Sequence, residues 1–259
     1  MSLEPRSLTV GGARRNFWLT EPDGTASAIV LGLHGTRSNA QRQARLSAMA
    51  SLAGGGGAVV AFPEAIVPIG SGFEWDPEID TAFLLELVDQ LSDRHPATGG
   101  RACMTGMSGG ARMSSHFAWH HADRVRMVGA VAGLRAGTGA TPSQPVPVLA
   151  FHGTADRINP YGGGNTPRWD ESVPDAARRW ALANGLTEAP SETSVTKTLT
   201  RTTYGVEGGT GEVTLWTARG AGHTWPGARL GLLLRLFLGR TNREIDATER
   251  IWSFAQGHV

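Results

Sequence analysis

Gly106-Met107-Ser108-Gly109-Gly110 constrains the fold more than any other stretch of the chain. The apolar residues before it suit a short buried strand, and those after it (Ala111, Arg112, Met113) suit a helix. To pass from strand to helix in so few residues, the backbone must enter a conformation that side chains crowd. Glycines two positions before and after Ser108 relieve that crowding. Ser108 is then presented at a strand end, over a helix N-terminus whose dipole favours negative charge.

The rest of the chain repeats the alternation. Residues 28–33 (AIVLGL) form an almost continuous apolar run, as expected of a central parallel strand. Further strands are expected at 58–62, 102–105, 125–131, 147–151, 196–204 and 213–218, with a leading hairpin around Phe17-Trp18-Leu19. Helices are expected at 39–53, ended by the glycines at 54–57, and at 79–91, 111–120, 172–184 and 247–256. Short buried strands alternating with helices imply an α/β layer fold around a mostly parallel sheet. With no long polar linker, one domain over residues 1–259 is expected. Residues 229–240 (RLGLLLRLFLGR) are too short to span a membrane and fit either a core helix or an apolar lip beside a site.

Charge narrows the partners. Lys+Arg is 24 against Asp+Glu 23, a net charge of +1, which gives no electrostatic case for nucleic acid or an anionic membrane. The single cysteine, Cys103, excludes an intrachain disulfide and a cysteine-based metal site, and its strand position predicts a buried thiol. MSLEPRSLTV has no apolar signal-peptide core, so secretion after signal removal and a cytoplasmic place both stay open. His120-His121 point in different directions on a helix and make a poor metal pair. Glu74, Asp76, Glu78 and Asp80 gather where helix capping would use them.

The stretch around Ser108 also fits G-x-S-x-G, the turn that exposes a nucleophilic serine. A serine hydroxyl needs a histidine to take its proton and an acid to orient that histidine. The chain offers them in the order serine, acid, histidine. Asp156 follows the strand at 147–151, and His223 follows the strand at 213–218 within a loop tightened by Gly220 and Gly222. An Asx-turn is the plainer reading of Asp156. His34 and His152 each follow a strand and are rivals for the base. An oxyanion would need two backbone N–H groups, assigned to Gly109 and to Thr36 in the His34-Gly35-Thr36-Arg37 loop. His34, Trp75, Trp169 and Trp225 are candidate substrate contacts, the last also a support packed beneath the His223 loop.

Several segments together resemble the polyhydroxybutyrate depolymerase and feruloyl-esterase-like branch of the α/β-hydrolases. They are LHGTRSN at 33–39, TGMSGGARM at 105–113, FHGTADRINPYGGG at 151–164, GAGHTWPG at 220–227 and IDATERIWSFAQGH at 245–258. The resemblance implies Ser108 as nucleophile, Asp156 as acid and His223 as base, with no metal or organic cofactor. Members often carry cysteines where this chain has Leu186 and Val206. It also implies an ester partner, either a small aryl, feruloyl or acetyl ester or a polymer-linked one such as a hydroxyalkanoate oligomer. A reading from another class is a non-catalytic relative that binds a hydrophobic ligand through residues 230–238.

Overall fold

The computed structural model describes residues 2–258. Its strands are β1 (Glu4–Val10), β2 (Ala13–Thr20), β3 (Ala28–Leu33), β4 (Ala58–Pro63), β5 (Val67–Ile69), β6 (Gly72–Glu74), β7 (Ala102–Met107), β8 (Val125–Val131), β9 (Val148–Gly153), β10 (Ser191–Ser194), β11 (Leu199–Tyr204) and β12 (Val213–Ala218). Its helices are α1 (Ala40–Ser47), α2 (Leu52–Gly56), α3 (Pro77–Arg94), α4 (Gly109–His120), α5 (Val173–Ala183), α6 (Leu232–Leu238) and α7 (Ala247–Gly257).

A ten-stranded sheet runs in the order β1-β2-β4-β3-β7-β8-β9-β12-β11-β10. From β4 to β12 every neighbouring pair is parallel, and the outer pairs at both ends are antiparallel. The central strands are buried on both faces, so their side chains divide between two cores. Ile29, Leu31 and Leu33 of β3 join Phe83, Leu84, Phe117 and Trp180 from α3, α4 and α5. Val30 of β3 joins Met49, Ile251 and Ala255 on the face covered by α7. This two-sided burial is why the central strands read as unbroken apolar runs.

β3, β8 and β12 carry the expected bounds. The expected helix at 39–53 is instead broken. α1 stops at Ala48, which takes the left-handed conformation (φ 54°) while its N–H caps Ala44 O. Glycine usually occupies such a position, and an alanine there gives no sequence signal. β10 has no expected counterpart because its four residues, SETS, are all exposed and polar. Cys103 is buried as expected, and burial pushes its thiol up to about 11. Among the described residues, no helix is long and apolar enough to cross a membrane.

The acidic cluster before α3 resolves into separate roles. Asp76 caps α3 by accepting from Glu78 N–H at 2.9 Å, and Asp80 accepts from Asp76 N–H at 2.8 Å. Asp80 is fully buried and paired with Arg15, whose guanidinium lies 4.2 Å above the Phe83 ring. Burial raises the Asp80 carboxyl above its ordinary range, with the Asp76 N–H and Arg15 pulling the other way. Removing one partner of such a pair strands a buried charge. Arg15→Ala should therefore lower stability by about 3 kcal/mol, read from the urea midpoint.

Candidate active site

The C-terminal ends of β3, β7, β9 and β12 meet on one edge of the sheet, and the loops leaving them supply the site. In an open α/β sheet this edge is where ligands bind. Ser108 joins β7 to α4 with φ 55° and ψ −116°, a conformation outside the usual regions for a non-glycine residue. The neighbouring glycines are required by contact. A Cβ on Gly106 would lie 2.7 Å from Leu33 O, and one on Gly110 would lie 2.1 Å from the same oxygen. β3 and the start of α4 thus approach more closely than any side chain allows.

Asp156 stands on the loop after β9. Its Oδ1 accepts from the N–H groups of Ile158 at 2.8 Å and Asn159 at 2.9 Å, so the Asx-turn is present. Its Oδ2 accepts from His223 Nδ1 at 2.7 Å. The two readings of this residue therefore use different oxygens. Burial alone would raise the Asp156 carboxyl. Hydrogen bonds from His152 and His223, the His223 charge and the Asn159 N–H outweigh that and hold it well below the usual carboxylate range.

The His223 loop is fixed along its backbone. His223 N–H donates to Leu238 O at 2.6 Å, Gly222 N–H to Arg240 O at 2.9 Å, and Ala155 N–H to Ala221 O at 2.9 Å. Gly220 needs φ 71°, and a Cβ on Gly222 would meet Leu238 O at 2.1 Å. Trp225 lies beneath the loop, 1% exposed, with Nε1 donating to Thr248 Oγ1 at 3.2 Å. With Nδ1–H committed to Asp156, the second ring nitrogen of His223 is the one free to accept a proton.

Ser108 and His223 line the same cavity of about 580 Å³, together with Gly35, Thr36, Asn159 and Trp169. Among the described residues, no hydrogen bond joins Ser108 Oγ to His223 within 3.5 Å. Contacts of this kind often tighten only when substrate is bound. The Thr36 loop packs directly on the first residue of α4. A Cβ on Gly109 would lie 2.9 Å from Thr36 N and 2.4 Å from its Oγ1. Neither the Thr36 nor the Gly109 N–H donates to an acceptor among the described residues. Two close, unengaged N–H groups over a helix N-terminus can receive a developing oxyanion.

The four candidate substrate contacts divide. Trp169 lines this cavity, its Nε1 donating to Pro160 O at 2.8 Å. Trp75 lines an adjoining cavity of about 410 Å³ and donates to His34 O at 2.8 Å. Trp225 is packed beneath the His223 loop and cannot offer a surface. His34 is likewise fully buried, its Nδ1–H donating to Gly35 O at 2.9 Å and its Nε2 accepting from Ala65 N–H at 3.2 Å. The contact expectation for these last two gives way to packing.

Burial pushes the His34 imidazole down to about 4, against an upward pull from the Gly35 carbonyl. In the unfolded chain its ordinary value is about 6.5. Between those values the unfolded chain binds a proton that the folded chain refuses. Stability should therefore rise with pH across this window and fall on acidification, by about 3 kcal/mol in all. His34→Gln should lack that slope, as tested by urea unfolding at about pH 4.5 and about pH 7.

The sequence marks His152 only as a rival base, and the structure gives it a supporting place. Its Nε2 donates to Asn159 O at 2.8 Å and lies 3.3 Å from Asp156 Oδ2. It buttresses the carboxylate and stacks against Trp169, with ring centroids 5.7 Å apart. Residues 229–240 are not a core helix. α6 stands off the surface, with Leu232, Leu233, Leu234, Leu236 and Phe237 between 54% and 84% exposed. A run as apolar as LLLRLFL would ordinarily be buried, and the exposure of α6 runs against that expectation. Leu238, just past its exposed turns, reaches the cavity wall.

No protein-family model matches the chain. It is 26% identical to NocK of Nocardia uniformis subsp. tsuyamanensis, a protein assigned an esterase name, over 97% of this chain and 82% of that one. It is also 26% identical to the bifunctional acetylxylan esterase/xylanase XynS20E of Neocallimastix patriciarum, over 58% of this chain but 22% of that protein. In structure it resembles the acetyl xylan esterase from Aspergillus awamori (TM-score 0.63, 15% identity, 85% of this chain and 94% of that one). It also resembles the Bacillus cereus carboxylesterase (TM-score 0.60, 14% identity, 94% of each). The chain has the α/β-hydrolase fold, with a mixed, mostly parallel sheet flanked by helices on both faces. The proteins it resembles carry esterase and carboxylesterase names.

Proposed function

We propose that the protein is a serine hydrolase of carboxylic esters, with Ser108 as nucleophile, His223 as base and Asp156 as its orienting acid. The observation that carries this reading is the His223–Asp156 hydrogen bond of 2.7 Å, formed at a cavity that Ser108 also lines. Ser108 Oγ attacks the ester carbonyl while the free nitrogen of His223 takes its proton. The oxyanion rests on the N–H groups of Thr36 and Gly109. The protonated imidazole then passes its proton to the leaving alcohol, which departs as the acyl-enzyme forms. Water, deprotonated by the same imidazole, releases the acid.

Small aryl, feruloyl or acetyl esters are the favoured substrates. The acetyl branch draws support from the name of one relative, a bifunctional acetylxylan esterase/xylanase. A hydroxybutyrate oligomer is the second reading, favoured by the exposed apolar side chains of α6, whose last residue, Leu238, lines the cavity. Rates on p-nitrophenyl acetate, p-nitrophenyl butyrate, methyl ferulate and a hydroxybutyrate oligomer separate the two. The reading expects turnover of at least one small ester. Folded protein inert toward all four would count against it.

A further inference from the structure

The cavity beside Ser108 has a one-sided charge. Arg37, Arg112 and Arg168 lie among its lining residues, and no aspartate or glutamate does. The chain as a whole is nearly balanced at +1, so this wall is a local feature. Two of the arginines converge on one atom. Arg168 Nη2 donates to Thr36 Oγ1 at 2.8 Å, and Arg112 Nη2 donates to the same oxygen at 3.4 Å. One short donor is enough to fix the Thr36 side chain. The second, longer one is left unexplained by that role.

Their charges are matched unequally. Arg168 pairs with Glu74 at 3.0 Å, and Arg135 pairs with Asp170. Arg112 forms no ion pair among the described residues, although its side chain lies partly buried between the two cavities, both of which it lines. Burial, and then the neighbouring Arg168, push its guanidinium down to about 10 against an upward pull from Glu74, so it remains charged at neutral pH. Glu74 offsets one of the two charges, which leaves Arg112 and Arg168 with a net positive charge and a residual repulsion around one neutral hydroxyl. A bound carboxylate relieves that repulsion and suits the planar fork of a guanidinium.

Resting on the esterase reading, we propose that the substrate carries a free carboxylate besides its scissile ester, and that Arg112 and Arg168 hold that carboxylate beside the Thr36 loop. The substrate class is then a half-ester of a dicarboxylic acid, or an ester of an alcohol that bears a carboxylate.

Matched pairs of esters test this. One pair places the carboxylate on the acyl side: mono-p-nitrophenyl glutarate against p-nitrophenyl valerate. The other places it on the alcohol side: 4-carboxyphenyl butyrate against phenyl butyrate. The expected result is a preference of about tenfold in kcat/KM for the charged member of one pair, expressed mainly in KM. The preference should collapse in Arg112→Gln and in Arg168→Gln. Arg112→Lys, which keeps the charge but not the fork, should retain part of it. Arg168 is half exposed, so its variant reads out the site even if an Arg112 variant folds poorly. Equal rates within both pairs, or a preference that survives both glutamine variants, would overturn this inference while leaving the esterase reading intact. Hydrolysis of none of the four by folded protein would overturn both.

Discussion

Ser108→Ala should lower kcat on any ester the protein turns over by about 10⁴-fold or more, with thermal stability essentially unchanged. The size of the loss follows from the division of labour. Without the hydroxyl there is no acyl-enzyme, and only binding and the N–H groups of Thr36 and Gly109 remain. The stability expectation follows from position. Ser108 keeps the same strained backbone when it becomes alanine, and its side chain faces the cavity at the strand end. Steady-state rates alongside a thermal melt check both halves. A variant within about tenfold of wild type would remove Ser108 from the mechanism.

Gly110→Ala should be severely destabilising although it adds only one methyl group. In an ordinary helix this change stabilises by roughly 0.5–1 kcal/mol, because alanine loses less backbone entropy than glycine. Here the sign reverses. The new Cβ would sit 2.1 Å from Leu33 O, 2.5 Å from Leu33 C and 2.7 Å from His34 O, all backbone atoms of β3 and the loop it feeds. Nothing there can rotate aside, so either α4 or β3 must move. A loss of about 4 kcal/mol or more is expected, seen as a fall in melting temperature of about 10 °C or as failure to fold. Any folded fraction should also lose activity, because displacing Leu33 and His34 moves the attached Thr36 N–H. A melting temperature within about 2 °C of wild type would contradict the close β3–α4 approach.

The same contacts explain what the sequence made legible. The glycines around Ser108 are a steric demand written into the chain, so the turn could be read without the fold. Asp156 and His223 were readable as candidates because each follows an apolar run that suits a buried strand. β10 was not, since an exposed edge strand of four polar residues leaves no apolar period. The break at Ala48 was hidden because an alanine occupies a position where glycine is the usual signal. The apolar residues of α6 recur at nearly every position, which fixes no face and leaves core and surface equally open to a reader of the sequence. The arginine wall was beyond reach for a different reason. Arg112 lies on α4 and Arg168 on a loop far along the chain, and only the folded sheet edge brings both to Thr36.

A nucleophilic Ser108 that forms an acyl-enzyme can be trapped covalently. The most direct test of that role is to treat the folded protein with an alkyl fluorophosphonate and map the modified peptide by mass spectrometry, with residual esterase activity measured in parallel. One phosphonyl group per chain is expected, on Ser108, with activity lost in proportion to labelling. Modification at another residue, or full loss of activity with Ser108 unmodified, would contradict a nucleophilic Ser108.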